Sequence, residues 1–394
     1  MILVTEAKSI LQKQQYRGPV TRLPLLNGLH RIVAEDIFSP MDVPSFDNSA
    51  MDGYALQFDG SRNTWSVKAV VQAGDTKTYS TTPGEAIRIY TGAKMPKNAD
   101  TVIPQELIKS NSNTNTICYE QSGITKGNNV RYKGEQCKKG DLVLPKNTFI
   151  NPGIIGFLAT LGISEVSVYQ SPSVGCIITG NELKEPGAPL TEGEIYNSNG
   201  PMLQACLQTL NINNILFYRV KDEANTVLSA IQEALQKHDF IILSGGISVG
   251  DYDFVKSSLE QSGVKELIYK IKQQPGKPLY VGQWKGKWVF ALPGNPASVA
   301  SCFNHYVKPC LKYYMGYNHV WNPNRVLPLA SEVKKKAGFT IFMKARHNET
   351  HVQLLDGQQS FNMQPFITAN CFAELPEKAE YLSAGTLVNV YDLV

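Results

Sequence analysis

Residues 239–254 read DFIILSGGISVGDYDF, and residues 288–301 read WVFALPGNPASVAS. Phe240 to Leu243 is a short apolar, β-branched run, which predicts a buried strand. It stops at Ser244-Gly245-Gly246, and an acidic turn follows, Gly250-Asp251-Tyr252-Asp253. Trp288 to Leu292 predicts a second buried strand, ended by Pro293-Gly294-Asn295-Pro296. Asn295 is placed as the N-cap of a helix and Pro296 at its first position. Two strands that end in glycine-rich turns at helix starts build the ligand crevice of an open α/β sheet. Free N–H groups and the helix dipole favour an anion there. Gly245, Gly246, Gly294, Asn295 and Ser298 are therefore candidate binding positions.

Asp251 and Asp253 sit at one strand end, and Lys277 lies near the other. Acidic groups beside an anion site imply a bridging cation, most often Mg²⁺ with phosphate. These residues point to binding or cleavage of a phosphorylated ligand. The competing reading is that the glycines only shape turns and the acids only cap a helix.

Outward from this centre the pattern alternates. Val174 to Thr179 reads as a strand, Pro201 to Leu210 as a helix, Ile215 to Val220 as a strand and Glu223 to Lys237 as a helix. That alternation implies a doubly wound, mostly parallel sheet. Glu182, Asp222 and Ser248 follow strand ends, so they join Asp251 and Asp253 along one sheet edge.

The 394 residues exceed one domain on the usual size scale. The expected fold is α/β plus β in three parts. Residues 1–170 form an N-terminal region with an inserted β module over about 46–135. Residues 171–316 form the central α/β domain. Residues 321–394, with short alternating stretches and turns at Asp356-Gly357 and Ala384-Gly385, suggest a small β-barrel. Within the first part, Thr5 to Gln15 reads as a helix and Leu25 to Phe38 as an extended arm. Asp52-Gly53 is a natural turn pair.

A net charge of +4 and no basic run longer than Lys334-Lys335-Lys336 give no reason to expect nucleic acid; the triplet reads as solvated surface. Seven cysteines, an odd number without a C-x-x-C pair, fit neither a disulfide framework nor a zinc site. No run approaches the ~18 apolar residues of a membrane span. The apolar run near Met1 is too short for a signal peptide. A reducing, cytoplasmic setting is expected.

Gly246-Ile247-Ser248-Val249-Gly250 formally matches the G-x-S-x-G elbow of serine hydrolases, with His305 and His319 downstream. No oxyanion segment precedes it, and the acidic turn after it opposes oxyanion stabilisation. His347 and His351 stand four apart between strand-like runs, where they do not converge on a metal. A non-enzymatic scaffold is the third alternative, and the retained acids argue against it.

SGGISVGDYDF, PGKP and LPGNPAS resemble the signature segments of molybdopterin molybdenumtransferases, the family of MoeA and the gephyrin E domain. SAMDGYA (49–55), TGAKMPKNADTVIPQE (91–106), VRYKGE (130–135) and TGNEL (179–183) extend the likeness, in the family's order, over nearly the whole chain. The resemblance implies insertion of molybdenum into adenylylated molybdopterin. Molybdate enters the dithiolene while Mg²⁺-dependent cleavage of the phosphoanhydride releases AMP. It also implies an elongated homodimer with a cleft completed across subunits, and a molybdopterin adenylyltransferase as partner.

Carried over by position, Asp222 and Asp253 match the family's metal-associated acids. Glu182 and Ser248 match the same pocket. Asp52 and Thr91 match functional positions of the N-terminal region. Lys277 and Pro278 match the molybdate and pterin side, and Arg346 and Ser360 match C-terminal oxyanion ligands. Arg, Lys and Ser donors suit a tetrahedral dianion. Two positions depart from the family pattern: Gln274 replaces a basic residue before PGKP, and Gln136 replaces an Asp after Gly-Glu.

Overall fold

The wound sheet forms because three apolar runs bury both faces and a fourth, half-exposed, pairs at its edge. The computed structural model describes residues 1–120, 123–247 and 254–393. In space the strands run Ile215–Val220, Val174–Thr179, Phe240–Ser244, Lys287–Leu292, Tyr280–Trp284 and Lys265–Tyr269. The first four are parallel, with Val174 opposite both Ile215 and Phe240, and Phe240 opposite Trp288. Tyr280–Trp284 and Lys265–Tyr269 then pair antiparallel as an added edge. The parallel core matches the expected doubly wound design, whereas the antiparallel edge was not anticipated. Its polar and charged residues, such as Lys265, Glu266 and Gln283, break the apolar runs that mark buried strands.

Side-chain alternation sends successive residues to opposite layers. Val174, Cys176, Ile178, Phe240, Ile242 and Phe290 pack with Leu203, Leu207, Phe303 and Tyr306 on one face. Ile177, Ile241, Leu243, Val289 and Ala291 pack with Val227, Ile231, Val255 and Leu259 on the other. The helices Asn199–Thr209 and Pro296–Cys302 thus cover one layer, and Ala224–Lys237 and Phe254–Gln261 the other. Tyr314, the last residue of the helix Lys308–Tyr314, is buried in the first layer.

The C-terminal module is sheet-rich. Thr340–His347, Cys371–Leu375, Leu387–Asp392 and Arg325–Pro328 pair antiparallel in that order. Gln273–Gln274, from the middle of the chain, adds a parallel strand at the edge of Thr340–His347. The first helix, Val4–Gln14, buries Val4, Ala7 and Leu11 in the same core as the wound sheet.

The chain divides into two compact units. One holds Met1–Leu23, His30–Ala34 and Ser167–Val394, and the other Pro24–Leu29 with Glu35–Val166. The second unit carries a sheet ordered Thr101–Pro104, Gly53–Leu56, Glu85–Ile89, Thr64–Val71, Thr116–Cys118 and Lys109–Asn111. Its helix Pro152–Thr160 starts where Asn151 Oδ1 accepts from the Ile154 amide at 3.0 Å. The extended arm expected over 25–38 is interrupted by a 3₁₀ turn, Leu25–Gly28. Among the described residues no helix is long and apolar enough to cross a membrane.

All seven cysteines are free. Burial raises the thiols of Cys176, Cys206, Cys302, Cys310 and Cys371, to about 11 for Cys206 and about 12 for Cys302 and Cys371. The unfolded chain ionises its thiols near the ordinary value. Their stabilisation is therefore complete below that value and fades as pH rises toward the folded one. Each such thiol withdraws about 1.4 kcal/mol per pH unit within its window. Lys308, lowered to about 8 by burial, acts in the opposite sense. Stability is expected to be level to about pH 8.5 and then to fall by several kcal/mol by about pH 10.5. Urea midpoints across that range measure it, and a level profile throughout would contradict it.

Candidate functional site

Two adjoining hollows lie at the carboxyl edge of the wound sheet. One, of about 570 Å³, is lined by Glu182, Asp222, Ser244, Gly245, Gly246 and Gly294, among others. The other, of about 490 Å³, is lined by Gln274, Lys277, Ser298, Lys334, Lys335 and Ser360, among others. Pro278, Pro293 and Asn295 belong to both walls, so the two form one groove. Its acidic end holds Glu182 and Asp222. Its other end holds basic and hydroxyl groups.

The chain's local chemistry explains this placement. Gly245 has φ of +97°, and a Cβ there would lie 2.6 Å from the Thr179 carbonyl. Only glycine lets the strand Phe240–Ser244 turn this closely past its neighbour. Asn199 Nδ2 donates to Ser244 Oγ at 2.9 Å and to the Gly294 carbonyl at 2.7 Å, tying together the two strand-end turns. The Asp222 amide donates to Asn181 Oδ1 at 3.2 Å, which links its turn to the one before Glu182. The Gln274–Pro275 bond is cis, and Gln273 is fully buried beneath it. Gln273 Nε2 donates to the Gly276 carbonyl at 2.9 Å, and Gln273 Oε1 accepts from the Tyr306 hydroxyl. Lys277 is thereby presented from an anchored turn.

Asn295 occupies the N-cap position of Pro296–Cys302, but its side chain makes no capping bond. Its Nδ2 donates instead to Ser360 Oγ at 2.9 Å, and the Ala297 amide donates to the Ser360 carbonyl at 3.0 Å. The expected cap residue thus serves as the joint between the wound sheet and the C-terminal loop. Arg346 does not line the groove. It is exposed and sits opposite Gln353 on its strand. The nearby basic residue that supports Ser360 is Lys344, 2% exposed. Its ammonium donates to the carbonyls of Gly357 (2.7 Å), Gln359 (3.2 Å) and Asn362 (2.8 Å), and burial lowers its pKa.

The lysine triplet read as solvated surface is partly built into the site. Lys334 and Lys335 line the basic end beside Gln274. Lys335 Nζ donates to the Phe339 carbonyl at 3.0 Å. Both lysines therefore share a wall with Gln274, from a segment far away in sequence. Periodicity gave no sign of this, because the triplet becomes part of the groove only through the fold.

Asp52 and Thr91 form their own cluster in the other unit. Asp52 Oδ1 accepts from the Thr91 amide at 2.8 Å and from the Thr91 hydroxyl at 2.7 Å. Those bonds, the amide first, hold the Asp52 carboxyl below the usual range. The turn is also laced by the Gln105 amide donating to the Asp52 carbonyl at 3.0 Å. Ser248, Asp251 and Asp253 lie outside the described residues. His347 Nε2 meets Asp392 at 3.0 Å, while His351 meets Thr350, so the two histidines serve separate turns.

Among the described residues no group of three or more metal-ligating side chains occurs. The acidic end nevertheless offers an all-oxygen donor set. Besides Glu182 and Asp222 it includes the buried Thr179 Oγ1, without a partner among the described residues. Asn199 Oδ1 is unpartnered in the same sense. Such oxygens suit a hard divalent cation.

Residues 2–162 match the MoeA N-terminal region (domain I and II). Residues 175–313 match the probable molybdopterin binding domain, and residues 326–393 the MoeA C-terminal region (domain IV). A molybdopterin molybdenumtransferase of Staphylococcus aureus is 34% identical over 99% of this chain and 95% of its own length. That of Haemophilus influenzae is 35% identical over 99% and 98%. The crystal structure of the molybdopterin biosynthesis MoeA protein from Pyrococcus horikosii superposes with a TM-score of 0.84 at 30% identity, covering 100% of this chain and 99% of that one. With all three regions matched in order and full-length relatives of this identity, the chain belongs to the molybdopterin molybdenumtransferase (MoeA) family of transferases.

Proposed function

We propose that this chain inserts molybdenum into adenylylated molybdopterin, using molybdate and releasing AMP. The observation that carries the reading is the polarity of the single groove. Glu182 and Asp222 stand at one end, and Lys277, Lys334, Ser298 and Ser360 at the other. A substrate carrying both an anhydride and a dithiolene needs such opposed ends. Molybdate, a tetrahedral dianion, suits the ammonium and hydroxyl donors of the basic end.

In this proposal Asp222 and Glu182 hold Mg²⁺ at the anhydride, together with Asp251 and Asp253. The cation would offset the charge that builds on the departing phosphate. Gly245, Gly246 and Gly294 bring backbone close to the phosphates. Asn295, Ser298 and Ser360 position the oxyanion. Asp52 and Thr91 act from the N-terminal region, in a cleft completed across a homodimer. A cytoplasmic setting and delivery of substrate by the molybdopterin adenylyltransferase complete the proposal.

The test is incubation with adenylylated molybdopterin, Mg²⁺ and molybdate. AMP release that depends on molybdate is expected, and its absence would defeat the reading. Lys334→Ala should raise the molybdate concentration for half-maximal rate by roughly threefold, the scale of one exposed charge. An unchanged molybdate requirement would remove Lys334 from the oxyanion end.

A further inference from the structure

A second polar cavity lies away from the groove, of about 120 Å³, where the first helix and the helix Lys308–Tyr314 meet the loop before the C-terminal module. Lys8, Lys308 and Lys312 line it, with Asn304, His305 and Trp321, and no carboxylate does. Nearby acids already have partners, one of them Lys8 of this wall. Glu374 accepts from the Tyr391 hydroxyl at 2.7 Å and pairs with Lys8 at 3.6 Å, while Asp392 pairs with His347 and Arg325.

The donors of the wall are not used up. Lys308 donates to Asn304 Oδ1 and the Asp392 carbonyl, both at 2.9 Å, which leaves one of its three N–H groups. Lys312 makes no hydrogen bond or ion pair among the described residues; its ammonium lies 4.9 Å from the Tyr317 ring. His305 is 2% exposed, and both its ring nitrogens lack partners among the described residues. It is held flat against Phe342, with ring centroids 3.7 Å apart, by a π-helical turn over Phe303–Val307. Burial, and then Lys312, lower Lys308, so the folded chain holds these ammonium groups together against repulsion.

We propose that this cavity binds a small tetrahedral oxyanion of the phosphate class, held by Lys308 and Lys312. An anion satisfies the free donors and offsets the clustered charge. The site is separate from the groove and does not depend on the reaction proposed there.

The experiment is calorimetric titration of the full chain with inorganic phosphate at constant ionic strength, with chloride as the reference salt. Saturable binding of phosphate is expected. Lys312→Gln should weaken it about tenfold, the scale of one charged hydrogen bond. Lys312→Arg, which keeps the charge, should retain most of it. Two results would overturn the proposal: no saturable binding, or equal binding by a folded Lys312→Gln chain, which would assign the anion to the groove.

Discussion

Asp222→Asn is expected to reduce molybdate-dependent AMP release about a hundredfold, the scale seen when one preorganised electrostatic group is removed from a reacting centre. Asp222 follows the strand Ile215–Val220 and lines the acidic end with Glu182. Asparagine keeps its size and leaves the backbone bond to Asn181 intact. Folding should therefore be undisturbed, and the loss should fall on the chemical step. Single-turnover AMP release at saturating molybdate and varied Mg²⁺ makes the measurement. A variant needing more Mg²⁺ supports a cation held by Asp222. A rate within threefold of the parent would place the cation elsewhere. Asp253→Asn is expected to show a loss of the same order.

Lys344→Met should destabilise the chain by about 3 kcal/mol, because buried carbonyls lose their donor. The methionine fills a similar volume, so the loss reflects hydrogen bonding and not a cavity. Three carbonyls of the loop over 357–362 converge on that ammonium, and Ser360 lies between them. The loop should loosen first. Protease cleavage within it and a raised molybdate requirement should appear before global stability is lost. Urea unfolding with limited proteolysis distinguishes these effects. A Lys344→Met chain with normal stability and an intact loop would remove Lys344 from its supporting role.

Much of the centre is legible in the residues themselves. Apolar runs such as Phe240 to Leu243 announce buried strands, and glycines at their ends announce the crevice. Glu182 and Asp222 follow strand ends, and parallel pairing delivers both to one hollow. What stays hidden depends on distant pairing. Arg346 and Lys344 sit two apart on one strand, and only the fold decides which is buried. Asn295 satisfies every local rule for a cap, yet its side chain caps no helix amide and its Nδ2 donates to Ser360 Oγ in a distant loop. Lys334 and Lys335 read as surface because nothing local relates them to Gln274. The antiparallel edge strands escape notice because half-polar strands carry weaker patterns than buried ones.

The two residues Gln273–Gln274 have a consequence for dissecting the molecule. They lie between wound-sheet strands in sequence yet hydrogen-bond to Thr340–His347. Severing the chain near Trp321 would leave Thr340–His347 with an unpaired rim, open to stray strands from other copies. The severed sheet would also forfeit the loop that closes the basic end. The terminal module is thus stitched in rather than appended, and excised fragments should clump and fail to retain molybdate.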